Sequence, residues 1–209
     1  MTQEACKAAK APLVGLILAG GLSSRMGVHK PSLKVHGENQ PDMLVRTAAL
    51  LHACVPEVWI SCRAGQQVPG YVCVQDVREG LGPIGGIYTA LLALQNTAYS
   101  GLLALSCDLP FMHGETLAML VQSHTAAQPL MTTFKQADTG FIEALVAVYH
   151  REALPYFQRA VDAGIRQMNK VIPEALRCDI IYQHSDALPF FNINYPADLE
   201  TARRLIQAL

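Results

Sequence analysis

An uninterrupted apolar run, Leu13 to Ala19, leads directly into a glycine-rich segment, and this junction constrains the fold more than any other feature of the sequence. An apolar run without polar alternation is typical of a strand that is buried on both faces, as in a parallel sheet. Parallel strands need long crossover connections, which are usually helices. The start of the chain therefore favours a fold in which strands and helices alternate.

The rest of the sequence continues this alternation. Apolar spacing predicts, in chain order, a helix over 43–54, strands over 58–62 and 71–74, a helix over 84–94, a strand over 101–107 and a helix over 115–121. The second half is less regular, with strands predicted over 141–149 and 178–182 and helices over 152–163 and 197–209. This order indicates an α/β fold with a mostly parallel sheet. In such folds ligands bind at the edge formed by the carboxyl ends of the strands.

Length, charge and cysteine usage limit the class of protein. The 209 residues suit a single domain over 13–209, preceded by a flexible tail over 1–12. The formal net charge of −1 argues against nucleic acid or an acidic membrane as a general partner, because both require a basic surface. None of the six cysteines forms a CxxC pair, and no apolar stretch reaches the ~18 residues that cross a membrane. We expect a cytoplasmic protein with reduced cysteines.

The segment from Leu18 to Lys30, LAGGLSSRMGVHK, has the composition of a phosphate-binding loop. Gly20 and Gly21 allow backbone N–H groups to approach a ligand closely, while Arg25 and Lys30 bring two cations to the same loop. An ordinary turn with surface charges is the alternative. The loop is not of the Walker A type, because the residue after the lysine is a proline instead of serine or threonine.

Two polar side chains later in the sequence are candidate metal ligands. Asp108 follows an apolar run, at the expected carboxyl end of a strand, where a carboxylate can hold Mg²⁺ together with phosphate oxygens. Asn194 lies just before Pro196, a residue that suits the first position of a helix. Asp108 could instead close a turn, and Asn194 could instead cap the helix. The residues alone leave both alternatives open.

Together these motifs resemble the signature of the nucleotidyltransferases with a three-layer Rossmann-like fold, and among them most closely the molybdenum cofactor guanylyltransferases. The segment over 18–30 resembles the superfamily's loop signature, and GPIGG over 82–86 resembles the GPLAG segment of the guanylyltransferases. The family's CDxP and NxNTPEDL segments correspond to 107–110 and 192–199. The resemblance extends from about Leu13 to the C-terminus.

The resemblance implies a set of site residues. Those expected to bind the nucleotide are Leu18, Ala19, Gly20, Gly21, Ser23, Arg25, Lys30, Asp76, Gly82, Pro83 and Gly85. Asp108 and Asn194 are expected to hold Mg²⁺, and the residues with catalytic roles are Arg25, Lys30 and Asp108.

The reaction implied is transfer of GMP from GTP to the phosphate of molybdenum-molybdopterin, with release of pyrophosphate. Partners would be these two substrates and, transiently, other proteins of molybdenum cofactor biosynthesis. Alternatives are a cytidylyltransferase acting on the same pterin, a sugar-phosphate nucleotidyltransferase and a non-catalytic nucleotide-binding protein.

The sequence departs from the family pattern at four positions. His29 stands where the family usually has aspartate before the loop lysine, and Cys62 stands before Arg63 where it usually has asparagine. The EPL-like segment reads Glu143-Ala144-Leu145 and lacks the proline, and Tyr195 replaces a threonine. The first two changes lie close to the expected nucleotide site and bear on base choice and activity.

Overall fold

A seven-stranded sheet forms the centre of the protein in a computed structural model that describes residues 12–19, 30–78 and 80–208. The strands are β1 Leu13–Leu18, β2 Val58–Cys62, β3 Val72–Gln75, β4 Gly101–Ser106, β5 Met131–Gln136, β6 Ile142–His150 and β7 Arg177–Tyr182. The α-helices are α1 Met43–His52, α2 Pro83–Leu94, α3 Gly114–Ala127, α4 Leu154–Asp162 and α5 Pro196–Ala208.

The strand order is β3-β2-β1-β4-β6-β5-β7. Among these described strands, only β6 runs antiparallel to its neighbours, so the expectation of a mostly parallel sheet is confirmed. The chain proceeds outward from β1 to β2 and β3, and then returns to place β4 on the other side of β1. β1 and β4 thus flank the switch point of the strand order, which is where open α/β sheets form ligand sites.

Alternate residues of β1 point to opposite sides of the sheet, which creates two apolar layers. Val14 and Leu16 pack with α2 and α4, whereas Leu13 and Ile17 pack with α1 and α3. All six residues of β1 are buried, as its uninterrupted apolar sequence predicts. The result is the expected three-layer α/β arrangement.

The predicted elements are present with small changes in their bounds, and one further strand is found. β5 is absent from the sequence prediction because its buried positions include Thr132 and Thr133, whose polarity hides the apolar pattern. The helix predicted over 152–163 is divided into a 3-10 turn, Arg151–Ala153, and α4, because Pro155 suits the first turn of a new helix. The tail over 1–11 lies outside the described residues, and the domain limits stay a prediction.

No helix within the described ranges is long and apolar enough to cross a membrane.

Candidate active site

The structure brings Lys30, Asp108 and Asn194 together at the switch point between β1 and β4. The Lys30 ammonium Nζ lies 3.1 Å from Asp108 Oδ2 and donates a hydrogen bond of 3.0 Å to Asn194 Oδ1. The side chains of Lys30 and Asp108 are 19% and 15% exposed, so the ion pair is largely shielded yet open to a ligand. Three segments far apart in sequence thus meet at one point.

Asp108 is held from both sides. It lies two positions beyond the end of β4, and Ser106 Oγ donates a hydrogen bond of 2.6 Å to its Oδ1. Its carbonyl oxygen accepts a hydrogen bond of 3.0 Å from the N–H of Ile193, which ties this turn to the segment that leads into α5. One carboxylate oxygen is therefore fixed by the protein, while the other faces Lys30.

Asn194 contacts the site with its side chain, and a different residue closes the start of α5. Asp198 Oδ2 accepts hydrogen bonds of 2.8 Å from the backbone N–H groups of Asn194 and Tyr195. The Asn194 side-chain oxygen accepts from Lys30 and is directed to the switch point. This geometry favours the metal-ligand interpretation of Asn194 over the helix-cap interpretation.

The oxygens of Asp108 and Asn194 suit a magnesium ion. Both lie within hydrogen-bonding distance of one cationic atom, Lys30 Nζ, so a single cation can reach both. One carboxylate and one amide oxygen, completed by substrate phosphates and water, are ligands that Mg²⁺ prefers. Within the described ranges, no group of three or more His, Cys, Asp or Glu side chains gathers into another metal site.

Asp76 lies at the same edge of the sheet, on the far side of β2. Its backbone N–H donates a 2.9 Å hydrogen bond to the Cys62 carbonyl, and its Oδ1 accepts one of 3.4 Å from Ser61 Oγ. Burial raises the pKa of the Asp76 carboxyl above its ordinary value, while the Ser61 hydrogen bond and the charge of Arg63 lower it in part. Asp76 is thus a half-buried carboxylate beside the start of α2.

The segment 82–86 forms the first turn of α2 and faces Asp76. Gly82 has a φ of 60°, a conformation that favours glycine, and Pro83 follows at the first helical turn. A Cβ built on Gly85 would lie 3.9 Å from Asp76 Oδ2, and one built on Gly86 would collide with Ser61 Oγ. Glycines here allow α2 to approach β2 closely.

Cys62 offers little to a ligand at this edge. Its side chain is 2% exposed and packs with the layer that contains α1 and α3. Burial, followed by interactions with Cys73 and Asp76, raises the pKa of the thiol to about 12, so it stays neutral. Polar groups available near this position come instead from Ser61 and Asp76.

A pocket of about 300 Å³ opens on the other side of Asp108, beside the start of β6. We call it the β6 pocket. Its lining is mostly apolar and includes Leu109, the residue directly after Asp108. Its polar lining residues are Glu143, Gln167, Asn169 and Asn192. Leu109 directly follows Asp108, and Asn192 lies two positions before Asn194, so the same two segments contribute to the pocket and to the site.

Several predicted site residues lie outside the described residues: Gly20, Gly21, Ser23, Arg25 and the departure at His29. Leu18, the last residue of β1, and Ala19 directly after it precede them at the switch point. Sequence reasoning did not identify Ser61, Ser106 and Asp198, which position the carboxylates and Asn194. A serine two positions before Asp108 is a visible signal, but only the fold reveals its contact.

Known proteins resemble this chain over most of its length. A family model described as a MobA-like NTP transferase domain matches residues 15–178. A probable molybdenum cofactor guanylyltransferase from Chloroflexus aggregans is 31% identical over 202 residues, which cover 93% of each chain.

Two solved structures share the fold. Molybdopterin-guanine dinucleotide biosynthesis protein A from Archaeoglobus fulgidus superposes with a TM-score of 0.74 at 23% identity, covering 94% of this chain and 100% of that chain. The 2-C-methyl-D-erythritol 4-phosphate cytidylyltransferase from Thermus thermophilus gives a TM-score of 0.67 at 17% identity, with 94% and 99% covered. At these identities the structures establish a common fold.

Proposed function

The chain belongs to the family of MobA-like NTP transferase domains, and we propose that it transfers GMP from GTP to the phosphate of molybdenum-molybdopterin, releasing pyrophosphate. Membership makes it a nucleotidyltransferase. The specific base and acceptor are our proposal, and they draw on the names of relatives such as the Chloroflexus aggregans protein and on the GPIGG segment.

The observation that carries the proposal is the position of Lys30 between Asp108 and Asn194. A lysine at the end of a glycine-rich loop meets a carboxylate and an amide oxygen at the switch point of the sheet. Such a site can hold a triphosphate, because it presents a mobile cation and the ligands of a divalent metal side by side. A purely structural ion pair would not need the amide oxygen.

In the proposed reaction, an oxygen of the acceptor phosphate attacks the α-phosphorus of GTP. A new P–O bond forms while the bond from the α-phosphorus to the bridging oxygen breaks, and that oxygen leaves with pyrophosphate. Nothing in this displacement needs a side-chain nucleophile; it needs alignment of two anions and neutralisation of charge. Lys30 neutralises the charge that develops on the departing pyrophosphate, a role shared in the sequence prediction by Arg25.

Mg²⁺ held by Asp108 and Asn194 would shield phosphate oxygens and polarise the phosphorus that is attacked. Ser106 keeps Asp108 in place for this purpose through its hydrogen bond to Oδ1. Asp198 does the same for Asn194 through the backbone of the turn. The protein thus contributes a preset ligand pair and a cation.

Guanine would lie toward β2 and β3. Asp76 and the first turn of α2 line that side of the switch point, with carboxylate and backbone groups able to bond a base. A carboxylate accepts from the adjacent amino group and ring N–H of guanine, a donor pair that cytosine lacks. This supports guanine over cytosine.

The cellular setting follows from the same proposal. All the cysteines in the described part of the chain are free thiols, which supports a reducing compartment, the cytoplasm. Proteins that supply the pterin and accept the finished cofactor would be its transient partners.

The test is thermal unfolding of the purified protein with Mg²⁺ and each of GTP, CTP, ATP and UTP. A ligand that binds only the folded state stabilises it by ~2.7 kcal/mol at a hundredfold excess over its dissociation constant. A Mg²⁺-dependent shift with GTP alone supports the proposal, and release of pyrophosphate on addition of the acceptor completes it. A shift with CTP instead indicates a cytidylyltransferase, and binding without turnover indicates a non-catalytic protein.

A further inference from the structure

The β6 pocket contains a carboxylate that the chemistry at Lys30 and Asp108 does not use. Glu143 lines the pocket, and its Oε1 accepts a hydrogen bond of 2.7 Å from the hydroxyl of Tyr182. Its other oxygen, Oε2, takes part in no hydrogen bond with the rest of the described chain. Tyr182 therefore fixes the carboxylate and leaves one oxygen available to a ligand.

Glu143 lies at the level of the reaction site. β4 and β6 are antiparallel neighbours, with Leu105 opposite Val146. β4 ends at Ser106 and β6 begins at Ile142, so in this antiparallel pair Asp108 and Glu143 both lie at the edge of the sheet where β4 ends. A molecule bound against Glu143 can extend a substituent toward Asp108.

The apolar and aromatic residues that line the rest of the β6 pocket suit a planar ring. Ile142, Leu145 and Met168 give the pocket an apolar lining, and Phe141, which also lines it, is 62% exposed. An exposed aromatic ring beside a pocket offers a stacking surface for a planar heterocycle. The volume of about 300 Å³ is at the small end for ligand pockets, which fits one ring system and not a whole nucleotide.

We propose that Glu143 binds the N–H edge of the acceptor's pterin ring, with Phe141 stacked on the face of the ring and Tyr182 as the residue that positions the carboxylate. This rests on the proposed function, which supplies a pterin as acceptor. A pterin carries an amino group next to a ring N–H, and a carboxylate accepts from both. The phosphate arm of the pterin then reaches Asp108 and Lys30.

Guanine has a donor pair similar to that of the pterin, so either ring could in principle bind Glu143. The order of the strands places the two candidate ring sites, at Asp76 and at Glu143, on opposite sides of the switch point. Asp76 and α2 lie on the β2 and β3 side of the switch point, whereas the β6 pocket lies on the other side of β4. With the triphosphate site between them, the base takes one side and the acceptor takes the other.

The experiment measures binding of 6-hydroxymethylpterin phosphate by its fluorescence, with Mg²⁺ and a non-hydrolysable GTP analogue present. Glu143→Gln is expected to weaken pterin binding by roughly tenfold or more, because it replaces a charged acceptor with a group that also donates. Tyr182→Phe should give a smaller loss. In the transfer assay, both should raise the KM for the acceptor and leave kcat and the KM for GTP unchanged.

A matched control exists at the opposite edge of the sheet. There Tyr99 donates a 2.6 Å hydrogen bond to Glu57, the same chemistry as the pair in the pocket. Glu57→Gln and Tyr99→Phe should leave pterin binding unchanged. Phe141→Leu keeps the apolar bulk of an exposed side chain, avoids a folding defect and should also weaken pterin binding.

The outcomes separate the two proposals. If the unaltered protein binds the pterin and Glu143→Gln binds it equally well, the assignment of Glu143 is wrong while the proposed function stands. A loss of affinity for GTP in Glu143→Gln, with the pterin unaffected, would assign the pocket to guanine instead. If the unaltered protein shows a GTP shift but binds no pterin, the proposed acceptor falls and the assignment of the pocket falls with it.

Discussion

Lys30 and Asp108, 78 positions apart in the sequence, form an ion pair of 3.1 Å at the switch point of the sheet. Because Asn194 shares the same ammonium group, Lys30 occupies the ligand pair that would hold the metal. Asp108 and Asn194 would hold Mg²⁺ through these two oxygens, and Lys30 would then be free to contact the phosphates of GTP.

Asp108→Asn tests the metal half of this arrangement. Replacing the carboxylate with an amide of the same shape removes the charge that attracts Mg²⁺, so the fold should persist while transfer is lost. We expect a loss of several kcal/mol of transition-state stabilisation, which corresponds to ~10³-fold or more in turnover. Pyrophosphate release as a function of Mg²⁺ concentration measures it.

The matched control for that variant is Asp186→Asn, in the exposed 3-10 turn His184–Asp186. It makes the same chemical change away from the site and should leave turnover intact. An Asp108→Asn protein with normal turnover and a normal Mg²⁺ requirement would disprove the metal assignment.

Lys30→Ala tests the other half. The lysine is expected to act on the departing pyrophosphate, so its loss should cost ~2–4 kcal/mol, the scale of one preorganised electrostatic donor in a transition state. The measurement is single-turnover kinetics at saturating GTP, with Lys34→Ala as control because the Lys34 ammonium donates to the nearby Glu38 carbonyl instead of to the site. Weaker binding of GTP with unchanged turnover would contradict the leaving-group role.

The sequence predicts those parts of the site that depend on local pattern. An apolar run identifies β1, and the position of Asp108 is recognisable because it follows another apolar run. The glycines and Arg25 that follow β1 lie outside the described residues, so their role stays a prediction. The direction of the Asn194 side chain is not predictable in this way, because a helix cap and a metal ligand have the same local sequence. The direction of this side chain depends on two contacts. Asp198 accepts the backbone N–H groups at the start of α5, and Lys30, from a distant segment, donates to the Asn194 side-chain oxygen.

The β6 pocket shows the same limit. Glu143 lies on β6 and Tyr182 on β7, two strands that the sequence predicts, but their hydrogen bond depends on the order β6-β5-β7 in the sheet. β5 itself escapes sequence prediction because of its buried threonines. Without β5, which lies between the two predicted strands, the contact between Glu143 and Tyr182 is not predictable from the sequence.

Asp76→Asn tests the buried carboxylate through pH. The pKa of Asp76 is raised in the folded protein, chiefly by burial, so the folded state holds this proton more tightly than the unfolded state does. Its contribution to stability is fully present below the ordinary value of 3.8 and is lost as pH rises through the raised pKa. The asparagine variant should therefore melt at a higher temperature than the unaltered protein at pH 7.

For the same variant, the advantage in melting temperature should shrink as the pH approaches 4. The variant should also bind GTP more weakly than the unaltered protein does, because it lacks the carboxylate that is expected to contact the base. Thermal unfolding from pH 4 to 8, with and without Mg²⁺ and GTP, measures both effects. Melting temperatures that differ by a constant amount at every pH would show that the charge of Asp76 carries no cost in the folded protein.

Gly86→Ala tests the close approach of α2 to β2. A Cβ at this position would collide with Ser61 Oγ, so the helix or the strand must shift, at a cost of ~1–3 kcal/mol for an overpacked contact. The double variant with Ser61→Gly removes the obstructing side chain and should recover most of that loss in a double-mutant cycle. Gly114→Ala, where an added methyl group meets nothing within 4 Å, is the control and should not destabilise. If thermal unfolding shows that Gly86→Ala costs as much in the Ser61→Gly background as it does with Ser61 intact, then this contact does not set the spacing of α2 and β2, and another one holds the first turn of α2 beside Asp76.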